Sequence, residues 1–242
     1  MPIQLPLIPK EVNKNVQDYS WLVYGKPGLG KSTFASFLDH ALILDSQDGY
    51  KHLSARVLRI SSWEELLETL AMIMVHNKEK PADAFQAIVF DVVDDFIKMS
   101  QDYICQRKGV ASPAEANDYG ATWTACGNEF RRVIDKAKTI AVPYFISHDY
   151  IEEIENQGIK LHVMRPSCFK KDTGRDQFNT WLRGITDCIA YIGFNNKNER
   201  RMYLEGNEFL TAKNRLSATG IEIPKDGIIY DRDNVRKLIG VE

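Results

Sequence analysis

Residues 25–32, Gly25-Lys26-Pro27-Gly28-Leu29-Gly30-Lys31-Ser32, match the spacing G-x-x-x-x-G-K-[ST] in full, and Thr33 follows directly. Glycines at these positions let the backbone turn tightly, with its N–H groups aimed inward at phosphate oxygens. Lys31 is then placed to reach the β- and γ-phosphates of a nucleotide, and the Ser32 hydroxyl to ligate Mg²⁺. By chance the pattern arises about once in a hundred chains of this length. Its flanks favour a phosphate loop over an empty glycine turn. The apolar stretch "WLVYG" reads as a strand before it, and "KSTFASFLDH" as a helix after it whose N-terminus adds partial positive charge.

A phosphate loop needs a carboxylate at the end of a neighbouring strand to hold the metal. "AIVFD" supplies Asp91 after four apolar residues, the Walker B form. Asp94 and Asp95, close behind, fit either supporting groups or carboxylates at a helix N-terminus. Hydrolysis also needs a group that orients or deprotonates water. Asp45, Gln47 and Asp48 follow the apolar "ALILD", and His148 follows "VPYFIS", both at the C-terminal edge of the expected sheet, where α/β sites lie. A side chain at His148 could hydrogen-bond a γ-phosphate and report its loss. The alternatives are a turn residue for Asp48, a cap for Asp45 and a solvated or structural histidine.

These residues depend on an alternation of elements. "WLVYG", "ALILD", "RVLRI", "AIVFD" and "VPYFISH" predict five strands, and "SSWEELLETLAMIMVHNKE" predicts an amphipathic helix capped at Ser61 or Ser62. Two further helices are expected over residues 94–107 and 117–138. The segments "YIEEIENQGIKLHVMR", "DCIAYIGFNNKNERRMYLEG" and "EFLTAKNR" read as hairpins. Together they predict an α/β fold with a mostly parallel sheet, helices on both faces and antiparallel hairpins at one edge. Residues 1–19 are expected to form an N-terminal arm, 20–218 the core and 219–242 a C-terminal tail packing on it.

The 242 residues carry a net charge of -2, which argues against a global basic field for nucleic acid and leaves only local patches. No run of about 18 apolar residues predicts a membrane span, and no basic flank before an apolar core predicts a signal peptide. The four cysteines, widely spaced, are expected as reduced thiols of a cytoplasmic protein.

With "GKPGLGKST" first and strand-end Asp91 and His148 after it, the order resembles the RecA-like P-loop ATPase core, and in particular short phage-encoded ATPases of that superfamily that act in single-strand annealing and recombination. The resemblance covers residues 20–218. It implies ATP and Mg²⁺ as cofactors, a self-assembled ring or filament, single-stranded DNA, phage recombination or replication proteins as partners, and a bacterial host cytoplasm. Where that family commonly carries a catalytic glutamate after the second strand, this chain has Gln47, with Asp48 beside it. Glutamine orients water but cannot take its proton. His148 falls at the family's sensor position. "EFLTAKNRLSATG" resembles a stretch of hexameric RecA-type helicases in which a basic pair crosses the subunit boundary, which implies a trans role at a neighbour's γ-phosphate for Lys213 and Arg215. The glycine of that pattern is displaced to Gly220.

Two DNA loops are implied by the same resemblance. One is residues 106–120, with Arg107 and Lys108. The other is residues 164–184, with Arg165, Lys170, Lys171, Arg175 and Trp181 among further basic and aromatic residues. Cations for phosphates and aromatic faces for bases suit a single strand. The competing reading is a surface loop whose aromatics pack on the core. The leading functional expectation is an oligomeric ATPase on single-stranded DNA. A nucleotide-dependent switch or assembly ATPase with protein partners is the alternative, and a P-loop kinase lacks an arginine-rich helical lid.

Overall fold

The computed structural model describes residues 8, 10–156, 158–169 and 177–241. Strand β1, Trp21–Tyr24, leads through the glycine loop to helix α1, Lys31–Ser36. Then come β2 (Ala41–Asp45), β3 (Val57–Arg59), α2 (Trp63–Glu79), β4 (Ala87–Asp91), α3 (Val93–Lys108), α4 (Ala121–Lys138) and β5 (Val142–Ser147). The second half holds β6 (Asp149–Asn156), β7 (Ile159–Pro166), α5 (Gln177–Ile185), β8 (Cys188–Phe194), β9 (Arg200–Tyr203), β10 (Ile228–Ile229) and α6 (Arg232–Leu238).

One sheet of eight strands runs in the order β10-β9-β8-β1-β5-β4-β2-β3. From β8 to β3 all neighbours are parallel, and β9 and β10 add antiparallel strands at one edge. All four residues of β1 are fully buried, as expected of a strand covered on both faces. Alternation then divides the core. Trp21, Val23, Ile43, Val89, Ile146 and Ile192 face Phe34 of α1 and Val235 and Leu238 of α6. Leu22, Tyr24, Leu44, Phe90 and Phe145 face Trp63, Leu66 and Leu70 of α2, Phe96 of α3 and Phe130 of α4. Each such side chain contributes about 1.5–3 kcal/mol by leaving water. Helix α2 begins where its cap predicts: Ser62 Oγ accepts from the Glu65 N–H at 3.2 Å, and Glu65 reaches back to the Ser61 N–H at 2.7 Å.

Several sequence expectations are corrected. The segment "DCIAYIGFNNKNERRMYLEG" forms its expected hairpin, β8 with β9, but β8 lies inside the sheet, parallel to β1, rather than at its edge. Its near-continuous apolar run is the mark of a strand buried on both faces. The β6–β7 hairpin does not extend the main sheet but forms a two-stranded ribbon of its own. "EFLTAKNR" makes single bridges at Leu210 and Lys213 rather than a hairpin strand. Within the expected loop 164–184, the helix α5 forms over Gln177–Ile185. Helix α1 stops at Ser36, short of the expected "FLDH". Beyond residue 218, β10 joins the sheet, and Val235, Leu238, Ile239 and Val241 are buried in the α1-side core.

Candidate functional site

The glycine loop lies over the C-terminal end of β1, and its glycines answer to specific neighbours. Gly25 runs so close to β8 that a Cβ there would sit 2.5 Å from the Ile192 carbonyl oxygen. Gly28 and Gly30 adopt φ of 80° and 95°, the left-handed region that side chains disfavour. A Cβ on Gly28 would meet nothing within 4 Å, so that turn opens to solvent beside exposed Lys26 and Pro27. Leu29 is half-buried and packs on the core. Lys31 is buried, and its Nζ donates to the carbonyls of Gly25 at 2.8 Å and Lys26 at 3.0 Å. Burial pulls its pKa down, while Asp91, Asp149 and Asp94 act to hold the ammonium charged.

Strand order brings Asp91 to the loop. β5 separates β1 from β4, yet Ser32 Oγ donates to Asp91 Oδ2 at 2.9 Å. The same oxygen accepts from the buried Tyr50 hydroxyl. Burial raises the Asp91 pKa, and the Tyr50 and Ser32 hydrogen bonds oppose that rise. Burial, with Asp91 alongside, pushes the Tyr50 phenol far up, so it stays a neutral donor. Tyr50 was missed by sequence reasoning. Its one signal is its place in the loop after β2, directly behind Asp48 and Gly49, and nothing local marks it as facing β4.

The residues after β2 divide into three roles. Asp45 closes the turn, accepting from the Gln47 N–H and the Gly49 N–H, both at 2.9 Å. Asp48 sits exposed at φ 60°, paired with Lys51 at 2.7 Å, which lowers its pKa. Gln47 is exposed, and its Nε2 donates to Asp95 Oδ2 at 2.9 Å; Ser46 Oγ donates to that oxygen at 2.7 Å. An amide held by its nitrogen leaves its oxygen free to accept. His148 follows β5 directly, between the ends of β1 and β4. Its Nδ1 is buried without a hydrogen-bond partner among the described residues. Burial raises the carboxyl of nearby Asp94, and hydrogen bonds with Ser147 and Ser167 oppose the rise.

The remaining expected residues lie elsewhere. Lys213 bridges Ile189, next to the first residue of β8 and so at the sheet end opposite the loop. Its Nζ donates to the carbonyls of Arg183 and Thr186 at the end of α5. Arg215 pairs with Asp187 at 3.1 Å, whose other oxygen accepts from the Ser20 N–H and hydroxyl. The alternation of Lys213 and Arg215 along one strand face is thus replaced by two separate anchors within this chain. Lys108 donates to Thr122 at 2.9 Å and Asp118 at 3.2 Å, and Arg107 lies over the Tyr103 ring. Arg165 pairs with Glu152 at 2.8 Å. Trp181 packs against Phe130 with ring centroids 6.2 Å apart, under the Arg131 guanidinium, and Phe169 is buried. Phe169 and Trp181 therefore face the core. Lys170, Lys171 and Arg175 lie outside the described residues.

The donor set suits a nucleotide polyphosphate with a divalent cation. The glycine loop and Lys31 offer N–H groups and an ammonium to phosphate, and the Ser32 hydroxyl and Asp91 carboxylate are hard oxygen ligands 2.9 Å apart. A mostly parallel α/β sheet with this loop and carboxylate at one edge defines a P-loop nucleoside triphosphatase fold. The chain matches the AAA domain family over residues 17–216 and belongs to that family. It is therefore a nucleotide-binding protein of the P-loop class. It is also similar to the SPbeta prophage-derived uncharacterized protein YorG of Bacillus subtilis (strain 168), 25% identical over 239 residues, covering 94% of this chain and 68% of YorG. Among the described residues no helix is long and apolar enough to cross a membrane.

Proposed function

We propose that this chain binds and hydrolyses ATP with Mg²⁺, in a RecA-like manner, as a self-assembling protein that works on single-stranded DNA in phage recombination or replication. The observation that carries the ATP reading is the convergence of Ser32, Asp91 and Tyr50 beside Lys31. Lys31 exchanges its two loop carbonyls for phosphate oxygens, a swap favoured because carbonyl dipoles are weaker partners than anionic phosphate. Ser32 and Asp91 would hold Mg²⁺, which when bound neutralises phosphate charge. Tyr50 keeps the Asp91 carboxylate aimed at Ser32. Gln47, held through its nitrogen by Asp95, presents its amide oxygen as an acceptor that orients water. His148, one residue past β5, would sense the γ-phosphate.

The DNA part rests on the basic sequence at Lys170, Lys171 and Arg175, with Arg107, Lys108 and Arg165 as flanking cations, and on the likeness to a prophage-derived protein. One observation favours a second reading, a slow nucleotide switch with protein partners. Asp48 is tied to Lys51, and Gln47 cannot take a proton, so no free carboxylate replaces the glutamate expected after β2. The deciding measurement is ATP turnover with and without single-stranded DNA at low salt, beside sizing with a nonhydrolysable ATP analogue. Stimulation by DNA in an assembled state supports the first reading. Unstimulated turnover with no DNA binding transfers the case to the switch.

A further inference from the structure

Two consecutive arginines on β9 are treated very differently by the fold. Arg201 is neutralised by Glu199 at 3.0 Å and Asp226 at 2.8 Å. Arg200 pairs with no carboxylate among the described residues, and its guanidinium lies 4.7 Å from the centroid of the Tyr230 ring. That ring belongs to the phosphate loop's own surroundings. The Tyr230 hydroxyl donates to the Gly30 carbonyl at 2.6 Å. A Cβ on Gly30 would stand 3.0 Å from the ring and 3.4 Å from Arg200 Nη1. An unneutralised planar cation is thus held against the glycine loop by an aromatic ring.

A third group completes the surface. Phe194 is the direct cross-strand partner of Arg200 in the β8–β9 ladder, so both side chains leave the sheet on one face with Cβ atoms about 5 Å apart. Alternation places that face with Ile192 and Met202, the side that carries α1. Phe194 is the last residue of β8, and it is 56% exposed. An exposed phenylalanine and an open guanidinium therefore stand side by side at the C-terminal edge of the sheet, next to the loop.

The strand order says which end of a nucleotide would meet them. Asp91 lies two strands from β1 on one side, and Arg200 two strands from β1 on the other. A cation held by Ser32 and Asp91 would neutralise the terminal phosphates, so that end of a bound nucleotide belongs on the β4 side. The nucleoside end of the same molecule then leaves the loop toward β8 and β9. We infer that Phe194, Arg200 and Tyr230 form a nucleoside subsite, in which the purine base of the bound nucleotide stacks against the phenyl ring and the guanidinium plane. This rests on the ATP-site reading above. Tyr230 acts as the positioning residue that holds Arg200 flat, and Arg200 and Phe194 are the contacting ones. Stacking of this kind accepts any purine, because every base offers a π-face.

The test compares MgATP with magnesium tripolyphosphate, which carries the phosphates and lacks the nucleoside, by calorimetry on the full chain. Wild-type protein is expected to bind both, ATP more tightly. Arg200→Ala and Phe194→Ala, each at an exposed position, are expected to weaken ATP about tenfold and leave tripolyphosphate within twofold. Arg200→Lys, which keeps the charge and loses the plane, is expected to behave like Arg200→Ala. Equal losses for both ligands, rescue by lysine, or unchanged ATP affinity in Arg200→Ala and Phe194→Ala would each overturn the subsite. A folded wild-type protein that binds neither ligand would instead overturn the ATP-site reading on which it rests.

Discussion

Lys31 and Lys213 make nearly the same local arrangement at opposite ends of the sheet. Each ammonium donates to two backbone carbonyls, and burial lowers the pKa of each. Their surroundings differ. Lys31 sits in a field of carboxylates, Asp91, Asp149 and Asp94, behind a loop that opens to solvent at Gly28. Lys213 is crowded by Arg215 and Arg183, with Asp187 opposing them, and caps the last turn of α5. Hydrogen bonding alone therefore does not separate a ligand-binding lysine from a structural one. On the proposed ATP reading, the open loop beside Lys31 is what would let that lysine trade its carbonyls for phosphate.

Removing each lysine should separate the two roles. Lys31→Ala is expected to weaken ATP binding by 100-fold or more, about 3 kcal/mol or above, with an unchanged melting temperature. ATP affinity within threefold of wild type would dissolve the contrast. Gly25→Ala should come next. Its Cβ meets the Ile192 carbonyl, so the loop must move off β8, at a cost of about 2 kcal/mol in stability together with lost ATP binding. Urea denaturation of the variant reads the first effect, and calorimetry the second. Lys213→Ala is expected to lower stability by about 1–2 kcal/mol while the ATP affinity of the folded fraction stays at the wild-type value. A selective loss of turnover in the assembled protein, with no loss of stability, would restore a trans role for this lysine. The smallest effect is expected from Tyr50→Phe, which frees Asp91 from one of its two hydroxyl donors. It should raise the Mg²⁺ concentration needed for half-maximal nucleotide binding a few-fold and leave binding in EDTA unchanged. An unshifted Mg²⁺ curve would mean that Ser32 alone aligns the carboxylate.

The legibility of this chain follows the range of its interactions. The glycine loop is contiguous, and its backbone angles are set by residues within a single turn, so the sequence shows it directly. Asp91 and His148 are readable because an apolar run that ends in a polar residue marks a strand end. The helix over residues 63–79 announces itself by its serine cap and acidic first turn. Lys213 and Arg215 are harder to read for the complementary reason. A basic pair two residues apart looks like a device, and only the packing of α5 and β8 shows that each side chain is already used inside this chain. The aromatics of the 164–184 segment were open to two readings, and burial of Phe169 with the packing of Trp181 favours the core for both.

By itself the sequence determined the phosphate loop, the alternation of strands and helices, and the edge of the sheet on which chemistry would gather. These follow from backbone stereochemistry and hydrophobic period, which act over a few residues. Only the tertiary structure decided that β8 lies against β1, that Tyr50 reaches Asp91, and that Arg200 and Tyr230 close on Gly30. Tyr50 and Asp91 are separated by 41 residues, and Tyr230 and Gly30 by 200. Such pairs meet because parallel strands must bury both faces, and the strand order that achieves this is a property of the whole core.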